Sequence, residues 1–352
     1  MRDVSLLERI CRELPKADLH LHLDGSVRPE TVLAFAKDAG KPIDLPSTLR
    51  KMRVAPESRS LPEYLLKFPF VNSFLQSPAR LERVTTELLQ DCAAENVQVA
   101  EIRFCPALHL REGASLDEIL DGVLKGFAAG AKATGIKGGV IVDCLREQQP
   151  EKMTELAELA VRYKDRGVVA LDLAGNEADY DGKNAVPAFQ VAGQAGLRRI
   201  AHAGEASGPD SIRQAVDELG AERIGHGTHL LGDTKLQAEI AQRGIPLEVC
   251  LTSNVHTRAV SDYASHPYVR YLRTGVKVTI NTDNRTVSNT TLSHELALAW
   301  FWGDLTRDEL KRLVVNGVDA AFLPSEEKAM LREKFATEFD AVIGRWSAPG
   351  RT

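Results

Sequence analysis

Four short stretches carry the residue types best suited to chemistry. His20-Leu21-His22 sets two imidazoles one residue apart. His202-Ala203-Gly204-Glu205, His226-Gly227 and Thr282-Asp283-Asn284 add further histidines, a glutamate and an aspartate. Each stretch ends a short apolar run of strand character. Side chains alternate along a strand, so His20 and His22 share one side. Taken singly, an HxH pair is a weak signal, more often structural or incidental, and a polar residue at a strand end reads as a satisfied structural group. Taken together, four strand ends delivering His20, His22, His202, Glu205, His226 and Asp283 to one rim read as a metal site, with His20, His22, His202 and Asp283 as its ligands. Three imidazoles and a carboxylate, without a thiolate, suit one Zn2+ per chain, with iron, manganese and cobalt as alternatives. Such an ion lowers the pKa of its water from about 15.7 toward about 7. Glu205 and His226 are then left over as an acid–base pair.

The elements that position these residues follow from the alternation of strand-like and helix-like segments. Eight β-rich runs are predicted: 17–23, 97–105, 138–145, 168–174, 199–203, 223–225, 246–251 and 277–280. Amphipathic stretches such as 151–166 and 211–219 separate them. This order implies parallel strands with helical crossovers. Eight units suggest a closed (β/α)8 barrel, an α/β TIM barrel spanning residues 1–352 as one domain. The alternative is an open doubly wound sheet, but no GxGxxG or phosphate loop follows the first run. The first connection, from Leu23 to Val97, is too long for one helix, so extra helices are expected after the first strand, on the face where barrels bind substrates. Within it, Leu61, Tyr64, Leu65 and Phe68 recur at i, i+3, i+4 and i+7. The pattern alone favours a helix packed on the barrel over a lid.

Composition bounds the class of protein. The 352 residues are 43% hydrophobic and 26% charged, with a net charge of −5 and no basic block. Nucleic acid is therefore not an expected partner. The stretch 1–14 mixes charges, including Arg2, with apolar residues at helical spacing, unlike a signal peptide. No apolar run reaches membrane-spanning length. Five cysteines without CxxC spacing read as reduced thiols, which places the protein in the cytoplasm.

The ordered motifs resemble those of the adenosine deaminase family. They are Ala17-Asp18-Leu19-His20-Leu21-His22-Leu23-Asp24-Gly25-Ser26, Asp172-Leu173-Ala174-Gly175, His202-Ala203-Gly204-Glu205, Arg223-Ile224-Gly225-His226-Gly227 and Asn281-Thr282-Asp283. Matches run from about residue 14 to about 330. The resemblance implies zinc on His20, His22, His202 and Asp283. It implies that Glu205 protonates purine N1 and that His226 takes the proton of the attacking water. It further implies that Gly175 contacts N3, that Asp24 holds a ribose hydroxyl, and that Leu61, Tyr64 and Phe68 form an apolar gate. His22 also borders the substrate.

One residue departs from the family pattern, which has a second aspartate where this chain has Asn284. That aspartate contacts N7, so the identity of the 6-aminopurine rests on Asn284. The expected partner is a small purine nucleoside, adenosine or 2′-deoxyadenosine. Adenine and aminodeoxyfutalosine are the nearest alternatives. A non-catalytic nucleoside-binding barrel is a further one, disfavoured because binding needs no acid–base pair. A two-metal amidohydrolase is disfavoured by the lack of a lysine at the end of the fourth run. Glu248 is expected to orient His226, or else to be a packing residue, and Ser253 to support Asp283. His229 reads as a loop residue, and His109, His256, His266 and His294 lack a partner pattern. Trp300 and Trp302 read as packing.

Overall fold

Parallel strands buried on both faces need continuous apolar runs, and all eight such runs form strands. The computed structural model describes residues 3–55 and 58–346. Arg2, part of the N-terminal stretch, lies outside the described residues. The strands are β1 (Lys16–His22), β2 (Val97–Phe104), β3 (Lys137–Leu145), β4 (Val168–Ala174), β5 (Arg198–Ala203), β6 (Arg223–His226), β7 (Leu247–Val249) and β8 (Val278–Ile280). They pair in chain order, every ladder parallel. With helices between successive strands, this is the (β/α)8 barrel.

The seam between β8 and β1 closes through the functional stretches themselves. The His22 N–H donates to the Asp283 carbonyl and the Asp283 N–H to the His20 carbonyl, each at 2.8 Å. Below them, the Leu19 N–H donates to Oδ1 of Asn281 at 2.9 Å, and the Thr282 hydroxyl donates to Asp18 at 2.6 Å.

β7 is shorter than its predicted run of 246–251. Pro246 has no N–H to add to the ladder, and Leu251 already opens a helix, Leu251–His256. The long first connection does carry extra helices: Pro29–Asp38, Leu45–Met52, Leu61–Leu65, Phe68–Asn72 and Pro78–Ala93. The single helix implied by Leu61, Tyr64, Leu65 and Phe68 is two short ones. Pro69 cannot donate to the carbonyl four residues back, so the first helix stops at Leu65. At the N-terminus, Val4–Glu13 is a helix capped by Asp3, whose carboxylate accepts the Ser5 N–H. Among the described residues no helix is long and apolar enough to cross a membrane.

Inside the barrel, beneath its C-terminal rim, lies a charged layer. The Arg103 guanidinium donates to Asp172 at 2.6 Å and to Glu248 at 2.8 Å. Arg223 donates to Glu248 at 2.6 Å and also pairs with Glu101. All five side chains are buried. Removing one partner of such an ion network leaves uncompensated buried charge, at about 3–5 kcal/mol. Arg223→Ala is therefore expected to lower unfolding free energy by about that amount, read from chemical denaturation midpoints. A loss under about 1 kcal/mol would show that the layer is hydrated rather than buried.

Candidate active site

The strand-end stretches converge at the C-terminal mouth of the barrel. Three imidazoles are each backed on Nδ1 by a carboxylate. Nδ1 of His20 lies 2.9 Å from Glu248, Nδ1 of His202 3.1 Å from Asp172, and Nδ1 of His22 3.4 Å from Asp143. Their Nε2 atoms turn toward one another and toward Asp283. Nε2 of His22 lies 3.2 Å from Nε2 of His202, and Oδ1 of Asp283 lies 3.5 Å from His20 and 3.4 Å from His22. Nε2 of His20 is buried without a hydrogen-bond partner. A carboxylate on one ring nitrogen and an unpaired lone pair on the other is how a protein prepares histidine for a metal. The donor set therefore fits a zinc ion held by His20, His22, His202 and Asp283. His226 also comes within ligand reach of His20 and His202, but its Nδ1 meets the amide of Asn254 at 3.1 Å rather than a carboxylate.

Close packing makes this convergence possible. Gly225 pairs with His202 across β5 and β6. A Cβ at Gly225 would sit 3.0 Å from Cε1 of His20 and 3.1 Å from Cα of His202. At two other points the backbone itself is turned: His226 and Asp283 have φ of 63° and 60°. Left-handed geometry costs a non-glycine residue roughly 1–2 kcal/mol, and strain of this kind clusters at functional sites.

Burial shifts Glu205 and His226 in opposite directions. Glu205 is desolvated and faces the charges of Asp283 and Glu177, which together push its carboxyl well above the ordinary range. The Thr257 hydroxyl donates to its Oε1 at 3.0 Å. His226 is desolvated too, and with His20 beside it its imidazole is held well below its ordinary value. Nε2 of His226 lies 3.5 Å from Oε2 of Glu205. Both shifts favour the uncharged form, of the carboxyl in one case and of the imidazole in the other.

A cavity of about 250 Å3 opens above the cluster. Its walls bring together the remaining sequence-predicted residues: Asp24 and Asn284 on the side of β1 and β8, Gly175 at the end of β4, and Leu61, Tyr64 and Phe68 from the first connection. The Tyr64 hydroxyl shares a 2.8 Å hydrogen bond with Ser288. Asn284 donates Nδ2 to Asp283 at 2.7 Å, and its Oδ1 is buried without a partner. A Cβ on Gly25 would fall 1.7 Å from that oxygen, so the Asp24-Gly25-Ser26 turn must be glycine at its centre.

Two sequence expectations are corrected here. Glu248 orients His20, not His226, because β7 lies beneath the His20 ring and Arg103 and Arg223 fix its carboxylate. Ser253 does not support Asp283; its hydroxyl is buried without a partner. Other functional contacts lay outside the sequence reading. Asp143, Asn254 and Thr257 had no local signal. His266 is drawn in as well, its Nε2 3.0 Å from Oδ1 of Asn254. His229 holds the carbonyl of Gly204 at 3.0 Å. Trp300 donates to the Leu305 carbonyl, and Trp302 stacks with Tyr263.

The family model described as adenosine deaminase matches residues 15–338. The chain belongs to the adenosine deaminase family. An adenosine deaminase from Clostridium kluyveri is 39% identical over 339 residues, covering 96% of this chain and 97% of that one. Among solved structures, an amidohydrolase from Burkholderia ambifaria with bound zinc superposes with a TM-score of 0.89. It is 26% identical, over 98% of this chain and 95% of the other. An adenine deaminase from Arthrobacter aurescens gives 0.87 at 28% identity, over 93% and 99%. This family member thus has the barrel and an imidazole–carboxylate cluster at its mouth.

The backing carboxylates have a measurable consequence. Asp143 touches His22 but takes no hydrogen bond from the arginine layer, so it can be altered without stranding a guanidinium. Loss of such a partner costs about 10–100-fold in metal affinity. Asp143→Asn is expected to weaken zinc binding within that range in a chelator competition. Unchanged affinity would detach Asp143 from the metal set.

Proposed function

We propose that this protein is a zinc-dependent adenosine deaminase, converting adenosine and 2′-deoxyadenosine with water to the inosine product and ammonia. The observation that carries this reading is one cavity holding both a carboxylate-backed imidazole cluster and, 3.5 Å from His226, a buried carboxyl whose pKa burial raises. When bound by His20, His22, His202 and Asp283, zinc supplies Lewis-acid chemistry at neutral pH. Glu205 donates its proton to purine N1, which makes C6 electrophilic. His226 takes up a proton from the attacking water as its oxygen adds to C6, and returns it to the amino group, which leaves as ammonia when the C6–N bond breaks. The remaining hydroxyl proton passes back to Glu205. The N–H of Gly175 binds N3, and Asp24 takes the 5′-hydroxyl of ribose. Leu61, Tyr64 and Phe68 close the cavity against bulk water, which strengthens every polar contact inside it.

Asp24 also speaks to substrate class. Its carboxylate is buried, and that burial raises its pKa. A further negative charge beside it is disfavoured, so a neutral ribose hydroxyl suits the position better than a 5′-phosphate. We place the enzyme in the cytoplasm on the strength of its five buried, free cysteines. Adenine is the second reading, favoured by the likeness to the Arthrobacter enzyme.

Ammonia release from the pure protein with adenosine, 2′-deoxyadenosine, adenine and AMP tests the assignment. The nucleosides are expected to react with the highest kcat/KM. Turnover of adenine alone would overturn the reading. Glu205→Gln is expected to retain one zinc and to lose about 10²–10⁴-fold in rate.

Asn284 gives a second test. N7 only accepts hydrogen bonds, and an asparagine amide supplies a donor without needing an added proton. One amide hydrogen is already given to Asp283, which leaves the other for N7. Asn284→Leu is expected to lower kcat/KM for adenosine about 5- to 150-fold, the equivalent of about 1–3 kcal/mol. 7-Deazaadenosine should be a correspondingly poor substrate of the parent. Equal activity of Asn284→Leu and parent, with zinc retained, would remove Asn284 from purine recognition.

A further inference from the structure

Glu177 lies on the loop after β4, two residues past Gly175, and is 4% exposed. Its carboxylate sits inside the neighbouring loop that follows β5. One oxygen accepts the Gly204 N–H at 2.7 Å. The other accepts the N–H of Glu205 at 2.9 Å, of Ala206 at 2.7 Å and of Ser207 at 3.3 Å. The Ser211 hydroxyl donates to the carboxylate as well, and the Ser207 hydroxyl donates back to the Glu177 carbonyl. Four consecutive amides around one anion form a concave backbone cradle. Here the anion is part of the chain. On the other side of Ala203, the buried guanidinium of Arg146 donates to the His202 carbonyl at 2.8 Å. The turn carrying His202 and Glu205 is therefore held by a cation on its carbonyl and an anion on its amides.

We propose that Glu177 is the positioning residue for the proton donor Glu205, tying it to the backbone that presents Gly175. This rests on the role of Glu205 proposed above. N1 and N3 lie on the same ring of the purine, so Glu205 and the Gly175 amide must keep a fixed spacing to meet both. Glu177 links the loops that carry them. Without its carboxylate, the four amides lose their acceptor, and the loop must shift to find another. A displacement of about 1 Å at a reacting group can cost about 10²-fold in rate. Glutamine cannot replace it, because its amide would set a donor against donors.

The test is a double-mutant cycle on the zinc-loaded enzyme, combining Glu177→Gln with Glu205→Gln. Glu177→Gln is expected to retain one zinc and to lower kcat on adenosine about 10²-fold, with KM changed less than about threefold. In the Glu205→Gln background the same substitution is expected to have little further effect, because it acts through the group already removed. The amides of residues 204–207 should exchange hydrogen at least about tenfold faster in Glu177→Gln than in the parent. Equal fractional losses in both backgrounds, a loss confined to KM, or unchanged exchange would overturn the proposal. If Glu177→Gln does not fold, Ser211→Ala removes one donor to the same carboxylate. It should give a smaller kcat loss that also vanishes in the Glu205→Gln background, and an equal loss in both would again overturn the proposal. A parent inert on adenosine would instead overturn the reading of function. An active parent with additive losses would overturn the role of Glu177 alone.

Discussion

Charge buried at the centre of the barrel is the constraint on which the rest of the molecule depends. Two guanidiniums and three carboxylates lie beneath the rim with no access to water. Desolvation of each is costly, and only a complete set of partners offsets it. Glu248 is the hub, accepting from Arg103, Arg223 and His20 together. Asp172 joins Arg103 to His202. Because Glu248 and Asp172 are pinned from below, His20 and His202 have one way to face. Nδ1 is held down and Nε2 turns up into the mouth. The same closure brings Asp283 to them, since its backbone bonds with those of His20 and His22 form the last seam of the barrel.

The same exclusion of water acts in opposite directions on two neighbours. A low-dielectric setting disfavours whichever form is charged. For Glu205 that is the carboxylate, and its pKa rises; for His226 it is the imidazolium, and its pKa falls. The two side chains stand 3.5 Å apart with the uncharged form of each favoured. The extra helices after β1 maintain this state, since Leu61, Tyr64 and Phe68 wall the cavity from outside. Polar groups at the mouth are held from loops far apart in sequence, as Thr257 holds Glu205 and Asn254 meets His226. Left-handed backbone at His226 and Asp283 is tolerated because the surrounding strands over-determine their position.

Much of this was legible in the sequence, for local reasons. Apolar β-branched runs announce buried parallel strands, and the residue that ends such a run lies at the rim. Hence His20, His22, His202, Glu205, His226 and Asp283 could be placed at one end of a barrel from order alone. The length between Leu23 and Val97 required extra helices. What tertiary structure alone decided was the pairing among these residues. Glu248 looked like a partner for His226, yet closure of the barrel sets it under His20, 228 positions away in the chain. Asp143 is set under His22 and Asn254 beside His226 in the same way. Glu177 sits two residues from a recognisable motif and has no periodicity of its own. Its role exists only because adjacent strands in a closed barrel place one loop's carboxylate among the next loop's amides. Residue order determines what reaches the rim; packing of the closed barrel determines which group meets which, because the partners are distant in sequence and share no local pattern.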